Sequence, residues 1–369
     1  MSIRNWIGRY HFPMDSYGTL IRDARLAAHV KQADFAARLG MTAAQLCKIE
    51  KGGSKPSMRT MDRVAEALDM PVADLLSRAW EERSTAERAE PQSPKVAADE
   101  LVSVWEGQPV ERIPADSMRK ILETEGEYSK LELAFGIPSA TLVPLVHPFV
   151  TDERGAEITA RMVRIAIGAG STTFADLAGL LEFNNVRIHL VEMPDDMPSC
   201  SFFNPRIRTR SIVLKCDDTP ERQTNRIAYE LGLACLFGST GFQPLADTRM
   251  PHRFARQFSA AFLMPDEAVR LAVRQTGLKP KDWTYEAILP LKVRFNVSAE
   301  AFALRLERLN LINPAIRASI REQLRRYYAA HPSAMEPQPN LPPLPPDPRL
   351  EILRLRFRDM TKGFSKGNK

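Results

Sequence analysis

A mainly α chain with a small α+β part is what the sequence predicts, on three observations. Between Tyr17 and Trp80 five short helical patterns follow one another, with turn residues between them. From Ile227 to Phe237 nearly every residue is apolar, which marks a buried helix rather than an amphipathic surface one. Two strand-like stretches, Val186–Met193 and Arg206–Cys216, stand just ahead of that helix.

At 369 residues the chain exceeds what one core commonly holds, about 250 residues, so two or three domains are expected. The composition divides it into an arm at 1–16, a helical domain at 17–80, a linker at 81–100, and a larger domain at 101–330 with its core at 156–312. A proline-rich spacer at 331–348 and a basic tail at 349–369 complete it. Hydrophobic residues at 44% and charged residues at 26% are ordinary for a globular protein. The opening MSIRNWIGRYHFPMD is polar and proline-broken, and no apolar run is long enough for a membrane span. The expectation is therefore a cytoplasmic protein with no membrane partner. Cys47, Cys200, Cys216 and Cys235 lack a Cys-x-x-Cys spacing and read as buried or free thiols rather than a metal or disulfide framework. A net charge of +6 mildly favours an anionic partner.

In the helical domain the first helix covers Gly18–Ala28, with Leu20, Ile21 and Leu26 expected inside. The second runs from Gln32 to Leu39, apolar at Phe35, Ala36 and Leu39. Gly40 supplies a turn where positive φ is easiest for glycine. Thr42 is placed to N-cap the third helix, which ends near Lys51 before Gly52. Leu46 and Ile49 anchor that helix and leave Ala43, Ala44, Gln45 and Lys48 facing out. Pro56 opens a fourth helix, and Val64, Leu68, Val72, Leu75 and Leu76 close the core. Helix, glycine turn, helix describes a helix-turn-helix, whose second member enters the major groove. The segments QADFAARLGMTAAQLCKIEKG and KPSMRTMDRVAEALDM closely resemble the Cro/C1-type (xenobiotic-response-element, XRE) family over about 60 residues. That resemblance implies Lys31 and Gln32 near phosphate, and Ala43, Ala44, Gln45 and Lys48 at base edges after the Thr42 cap. Gln can pair with adenine, Lys can donate to guanine, and Ala can touch a thymine methyl. Residues 31–63 hold seven Lys/Arg against three Asp/Glu, which suits a phosphate backbone.

EERSTAERAEPQSPKVAADE, at 81–100, has linker composition. Residues 102–145 become globular again without a clear assignment, and Glu157–Leu181 has helical spacing. After the apolar helix, Phe254–Val273 reads as a helix broken at Met264 and Pro265. Leu291–Ile312 reads as two helices with Asn296–Ser298 as turn and cap. The sequence RQTNRIAYELGLACLF, Arg222–Phe237, looks like a peptidase zinc helix without its ligands. A His-Glu-x-x-His helix puts imidazoles at i and i+4 on one face. Here those positions are Tyr229 and Leu233, around Glu230. Leucine has no lone pair and a neutral phenol is a poor ligand for such a metal.

Several ordered pieces resemble the ImmA/IrrE family of metallopeptidases across roughly 156–312. They are Arg222, Ala228, Glu230, Leu231 and Gly232, then FSAAFLMP at Phe258–Pro265, and RFNVSAEAFALRLERLNLI at Arg294–Ile312. The resemblance implies a zincin-like α+β domain and a stress- or element-responsive regulator. It places the family's third ligand, a Glu, on His252, one donor where catalytic zinc needs about three. The expectation is no metal, no cofactor and no catalytic residue, with Tyr229, Glu230, Leu233 and His252 a degenerate motif. A buried Glu230 without metal needs a partner, and His252 or Arg256 on the neighbouring helix is the expected cation.

In the tail, Leu353, Leu355 and Phe357 alternate with Arg354, Arg356 and Arg358. That pattern fits a strand added to a sheet edge, a basic segment touching nucleic acid, or an unstructured basic tail. Taken together, the reading is a sequence-specific regulator of a double-stranded DNA operator, expected to be a repressor and a homodimer. Its second domain is expected to serve sensing, dimerisation or a protein partner. Two alternatives stay open at this point: an active or self-cleaving metallopeptidase regulator with an unorthodox metal site, and an antitoxin-like interaction protein.

Overall fold

The computed structural model describes residues 14–54, 56–70, 75, 101–105, 107–137, 151–204, 209–237, 249–331, 336, 344 and 347–366. The expected linker, most of the N-terminal arm, most of the fifth helical pattern (with Val72 and Leu76) and most of the proline-rich spacer lie outside the described residues.

The N-terminal domain contains α1 (Met14–Ala27), α2 (Gln32–Arg38), α3 (Ala43–Glu50) and α4 (Met58–Ala67). Leu20, Ile21, Phe35, Ala36, Leu39, Leu46, Ile49, Val64 and Leu75 are buried together, as the spacing predicts. Leu68 is half-buried. Leu26 is a correction: it is 49% exposed. Arg25 takes the inward place instead, forking onto both oxygens of Glu50 at 2.8 and 3.0 Å. Gly18 lies where α1 crosses α3, and a Cβ there would meet the Ile49 carbonyl oxygen at 2.1 Å. Gly40 turns the chain between α2 and α3 with φ +64.

The second domain is built on a four-stranded sheet of β1 (Val102–Ser103), β2 (Val186–Val191), β3 (Ser199–Asn204) and β4 (Thr209–Lys215), in the order β1-β3-β4-β2. β3 is antiparallel to both neighbours and β4 is parallel to β2. The two expected strands are β2 and β4. β1 and β3 are additions, because SCSFFN places serines where an inward-facing strand residue is ordinarily apolar.

Among the described residues the second domain has ten helices: α5 (Ala115–Ala134), α6 (Glu153–Ala166), α7 (Leu177–Phe183), α8 (Pro220–Phe237), α9 (Met250–Leu263), α10 (Asp266–Thr276), α11 (Tyr285–Arg294), α12 (Ala299–Arg308), α13 (Pro314–Ala330) and α14 (Pro348–Lys366). The helical stretch expected over 157–181 is two helices, α6 and α7, rather than one. The Met264–Pro265 break and the Asn296–Ser298 turn fall where expected. Asn296 has φ +54, and the Ser298 side chain caps α12 by accepting from the Ala301 N–H.

The motif helix α8 lies on one sheet face with Ile188, Ile212 and Leu214. α5 lies on the other, where Ile121 joins Cys200, Phe202 and Val213. Charged residues stitch the outer helices to this frame. Arg305, buried in α12, donates to the Met264 carbonyl at 3.0 Å and to both oxygens of Glu157 in α6. Lys292, fully buried in α11, meets Glu221 at 3.2 Å and Glu336 at 2.6 Å.

Under α5 a second polar cluster is buried. Glu125 accepts from Arg187, from His189 Nε2 at 2.9 Å and from Ser211 Oγ at 2.7 Å. Burial pushes its carboxyl upward, but Arg187, His189 and Ser211 overcome this and hold it down to about 2. Arg187 also reaches Glu132 at 2.9 Å. The expected tail enters here, and the strand expectation is corrected: Pro348–Lys366 is helical. Leu350 and Leu353, three residues apart, turn inward onto Tyr128 and Leu131, while Leu355 is left 48% exposed. A packed three-residue spacing has outweighed the period-two pattern. Arg349 donates to Glu132 at 2.7 Å, and its backbone N–H donates to Glu182 at 3.2 Å. Arg354 forks onto Glu127 with both contacts at 2.6 Å. Two of the tail's arginines are thus engaged with carboxylates of the second domain.

Removing the Arg349 side chain takes one of two arginines from the buried Glu132 and leaves Arg187 and the backbone N–H to Glu182 in place, a loss of up to about 3 kcal/mol. Arg349→Ala is expected to lower the melting temperature by roughly 5–10 °C, read by circular dichroism. An unchanged melting curve would show that α14 is held without Arg349, by Leu350, Leu353 and the Arg354–Glu127 pair.

Candidate functional site

Two sites come from the sequence. In the N-terminal domain, Thr42 caps α3 through a capping box. Its hydroxyl accepts from the Gln45 N–H at 3.2 Å, and Gln45 Oε1 accepts from the Thr42 N–H at 2.9 Å. Ala43, Ala44, Gln45 and Lys48 are exposed on α3, while Leu46 and Ile49 pin its opposite face to the core. Lys31 is exposed at the N-cap of α2. Gln32 is half-buried and donates from Nε2 to Glu50 at 2.8 Å. Its side chain therefore joins the Arg25–Glu50 pair, tying the start of α2 to the end of α3. Lys31, Thr42 and the outward α3 residues are each exposed.

The second site is the motif helix. Glu230 is wholly buried, and among the described residues its hydrogen-bond donors are hydroxyls and an amide rather than the expected cation. Ser199 Oγ donates to Oε1 at 2.7 Å and Ser201 Oγ to Oε2 at 3.0 Å. The Gln108 amide donates to Oε1 at 2.9 Å. β3 points Ser199 and Ser201 at the helix because alternate strand residues share a face. Burial pushes the Glu230 carboxyl above the ordinary carboxylate range, and these three donors pull it back only in part.

His252, on α9, is paired elsewhere. Its Nδ1 lies 2.5 Å from the Tyr229 hydroxyl, and its ring meets Trp105 edge-on at 4.6 Å between centroids. Burial, and secondly Arg256, lower its pKa below the ordinary imidazole value, so Nδ1 is suited to accept the Tyr229 proton. Arg256 is exposed. The structure thus gathers Tyr229, Glu230 and His252 at one place, with Leu233 one turn further along α8 and buried.

A metal of the kind a zinc helix holds does not fit these residues. Leu233 offers no donor atom, Tyr229 is hydrogen-bonded to His252, and Glu230 is enclosed by two hydroxyls and an amide. Among the described residues no group of three or more His, Cys, Asp or Glu side chains is placed to hold a metal ion. Among them, too, no helix is long and apolar enough to cross a membrane. Ser199, Ser201, Gln108 and Trp105 were not foreseen as site residues. Gln108 lies 122 positions from Glu230, a distance over which a single sequence carries no spacing signal.

Two family models match the chain, one over each domain. Residues 21–75 match the helix-turn-helix family, and residues 184–307 match the family described as the IrrE N-terminal-like domain. The chain carries these two domains in that order. The ImmF control region 10 kDa protein of Bacillus phage phi105 is 40% identical over 55 residues, 15% of this chain. The chain spans 61% of that phage protein's length. The apo form of the competence regulator ComR from Streptococcus vestibularis aligns over 93% of this chain and 97% of its own, at 14% identity and a TM-score of 0.17. Apo ComR from S. thermophilus aligns over 86% and 94%, at 13% identity and the same TM-score. Likeness at that level carries no argument.

The raised carboxyl gives a signed expectation. Below the ordinary carboxylate range Glu230 is protonated in folded and unfolded chains alike. As pH rises through the interval up to its elevated folded value, the unfolded chain ionises first, and stability falls. Glu230→Gln keeps the shape and removes the titration. Its stability relative to the wild type should be near parity at about pH 4 and increasingly favourable towards neutral pH, measured by urea unfolding. A wild type that gains on the variant as pH rises would mean Glu230 is stabilised as an anion.

Proposed function

We propose that the chain is a sequence-specific DNA-binding transcription regulator, acting as a repressor, whose second domain is a peptidase-like fold used for binding rather than catalysis. The observation that carries the first half is the exposed face of α3: Ala43, Ala44, Gln45 and Lys48 stand together on a helix whose other face is locked to the core. A rigid helix with small and hydrogen-bonding residues outward is suited to the major groove. The phage relative, a control region protein, points the same way. Dimerisation follows as part of the proposal, since such modules commonly read paired half-sites about one helical turn apart.

The geometry refines the roles on α3. Gln45 Oε1 is engaged by the Thr42 N–H, so its Nε2 is left as the outward donor. In this reading Gln45 addresses a base acceptor, such as a purine N7, while Lys48 donates to guanine or phosphate. Lys31 adds a phosphate contact, and Gln32 acts through Glu50 by fixing α2 against α3.

For the second half, the support is chemical. Glu230 has no metal-bound water to activate, because the residues at the ligand positions cannot bind the metal. Retained peptide hydrolysis would need a water polarised by something else, and its neighbours are hydroxyls and an amide.

Two measurements test the two halves. Lys48→Ala should weaken operator binding by about 1–3 kcal/mol and leave the melting temperature unchanged. Gln45→Ala should add a comparable loss, together with about 1 kcal/mol of stability from the broken capping box. Operator affinity equal to wild type in the double variant, by fluorescence anisotropy at fixed salt, would remove α3 from the interface. Metal content by mass spectrometry of untagged protein is expected below about a tenth of an equivalent. Near-stoichiometric zinc, iron or manganese would return the domain to the peptidases.

A further inference from the structure

The motif helix site is not open, and what covers it is part of the same chain. β1 pairs with the edge of β3, Val102 opposite Phe203 and Ser103 opposite Phe202. The Val104 N–H continues the pairing by donating to the Ser201 carbonyl at 2.9 Å. Trp105 then lies edge-on against His252, and Gln108 delivers its amide to Glu230. A turn brings Gln108 there: its N–H donates to the Trp105 carbonyl at 3.0 Å. Ser103 Oγ accepts from the Val110 N–H at 2.9 Å and ties the far side of this turn back to the strand.

Main-chain pairing with a sheet edge, an aromatic ring on a ledge and one polar side chain on a buried acceptor are the components of peptide recognition by strand addition. All three are supplied here by a short internal segment. Its strand is only two residues long, and Val102 is 43% exposed. Trp105 and Gln108 are each half-buried. Leu101, Val104 and Val110 anchor the segment in the cores, and its tether gives the Trp105 and Gln108 contacts a high effective concentration of about millimolar.

We infer that the former zinc-helix site is a peptide-binding site, held by the chain's own residues Val102–Trp105 and Gln108. The external ligand it takes is an extended peptide with an aromatic residue and, three positions later, a carboxamide. Such a peptide pairs antiparallel with β3, seats its ring on His252 beside Tyr229, and donates its amide to Glu230. It binds by displacing the internal segment. Selectivity follows from burial: Glu230 is enclosed, so a ligand that reaches it without a donor leaves an acceptor unsatisfied. This inference rests on the reading of the second domain as a binding module rather than a peptidase.

The test uses the full-length chain and a synthetic peptide of its residues 100–111. Trp105→Ala/Gln108→Ala weakens the internal occupant. The peptide should bind this variant at least about tenfold more tightly than it binds the wild type, by isothermal titration calorimetry. Replacing the peptide's glutamine by alanine, or adding Glu230→Ala to the variant, should abolish the gain. If the double variant melts early, Gln108→Ala alone serves, with the same peptide and a smaller gain. Equal affinity for wild type and variant, or no binding by a folded variant, overturns the internal-occupant assignment while leaving the non-catalytic reading intact. Cleavage of the peptide, seen by mass spectrometry, overturns that reading and the inference with it.

Discussion

A carboxylate buried at the centre of the second domain sets the conditions its surroundings must meet. Glu230 lies over β3 with no solvent contact, and a buried charge without compensation is costly enough to shift its own protonation. The chain meets this with neutral donors: two serines from alternate positions of one strand and a glutamine from a turn. That choice fixes several other features. β3 must present serines inward, β1 must pair along its edge to bring the turn into range, and the turn must reach α8. Three hydrogen bonds meet the carboxyl, two from one strand and one from the turn.

The opposite sheet face solves the same problem differently. There Glu125 and Glu132 are compensated by Arg187 and Arg349, full charges in a dry setting. Ion pairs of this kind contribute little net stability when formed but are destabilising when broken. They act as registration devices. Arg349 can satisfy Glu132 and bring its N–H to Glu182 only if α14 begins where it does. The Glu182 carboxyl, pushed up to about 8 chiefly by burial, accepts that N–H without needing a second arginine. Beyond Arg349, packing takes over through Leu350 and Leu353. The sheet is therefore wedged between a neutral hydrogen-bonded cluster on one face and an ionic one on the other.

What the sequence disclosed follows from how local each signal is. The caps and turns of the first domain are decided within four residues. Gly40, Thr42 with Gln45, and Leu46 with Ile49 are accordingly legible. So are the Met264–Pro265 break and the Ser298 cap. That Tyr229 and Leu233 stand at i and i+4 around Glu230 is equally plain, because it is a matter of residue type. Which donors meet Glu230 is not. Gln108 and Ser199 are distant from Glu230 along the chain, and neither has an unusual neighbourhood. The expectation of a cationic partner at His252 or Arg256 followed sound electrostatics but ignored that hydroxyls and amides can share the burden. Leu26 and the tail failed for a related reason. At both places an arginine, Arg25 and Arg349, is buried by a partner carboxylate far along the sequence, and periodicity counts arginine as a surface residue.

The two candidate sites are opposite in their hydrogen-bonding state, and this bears on how each can act. On α3 the outward Lys48 and the Gln45 Nε2 face solvent, so a nucleic acid can gain contacts there without the protein first losing any. At Glu230 every oxygen already has a partner supplied by the chain. A ligand at that site must replace donors one for one, and its affinity is the difference between its own contacts and those it displaces. Such a site responds to the chemical match of an incoming segment rather than to its charge.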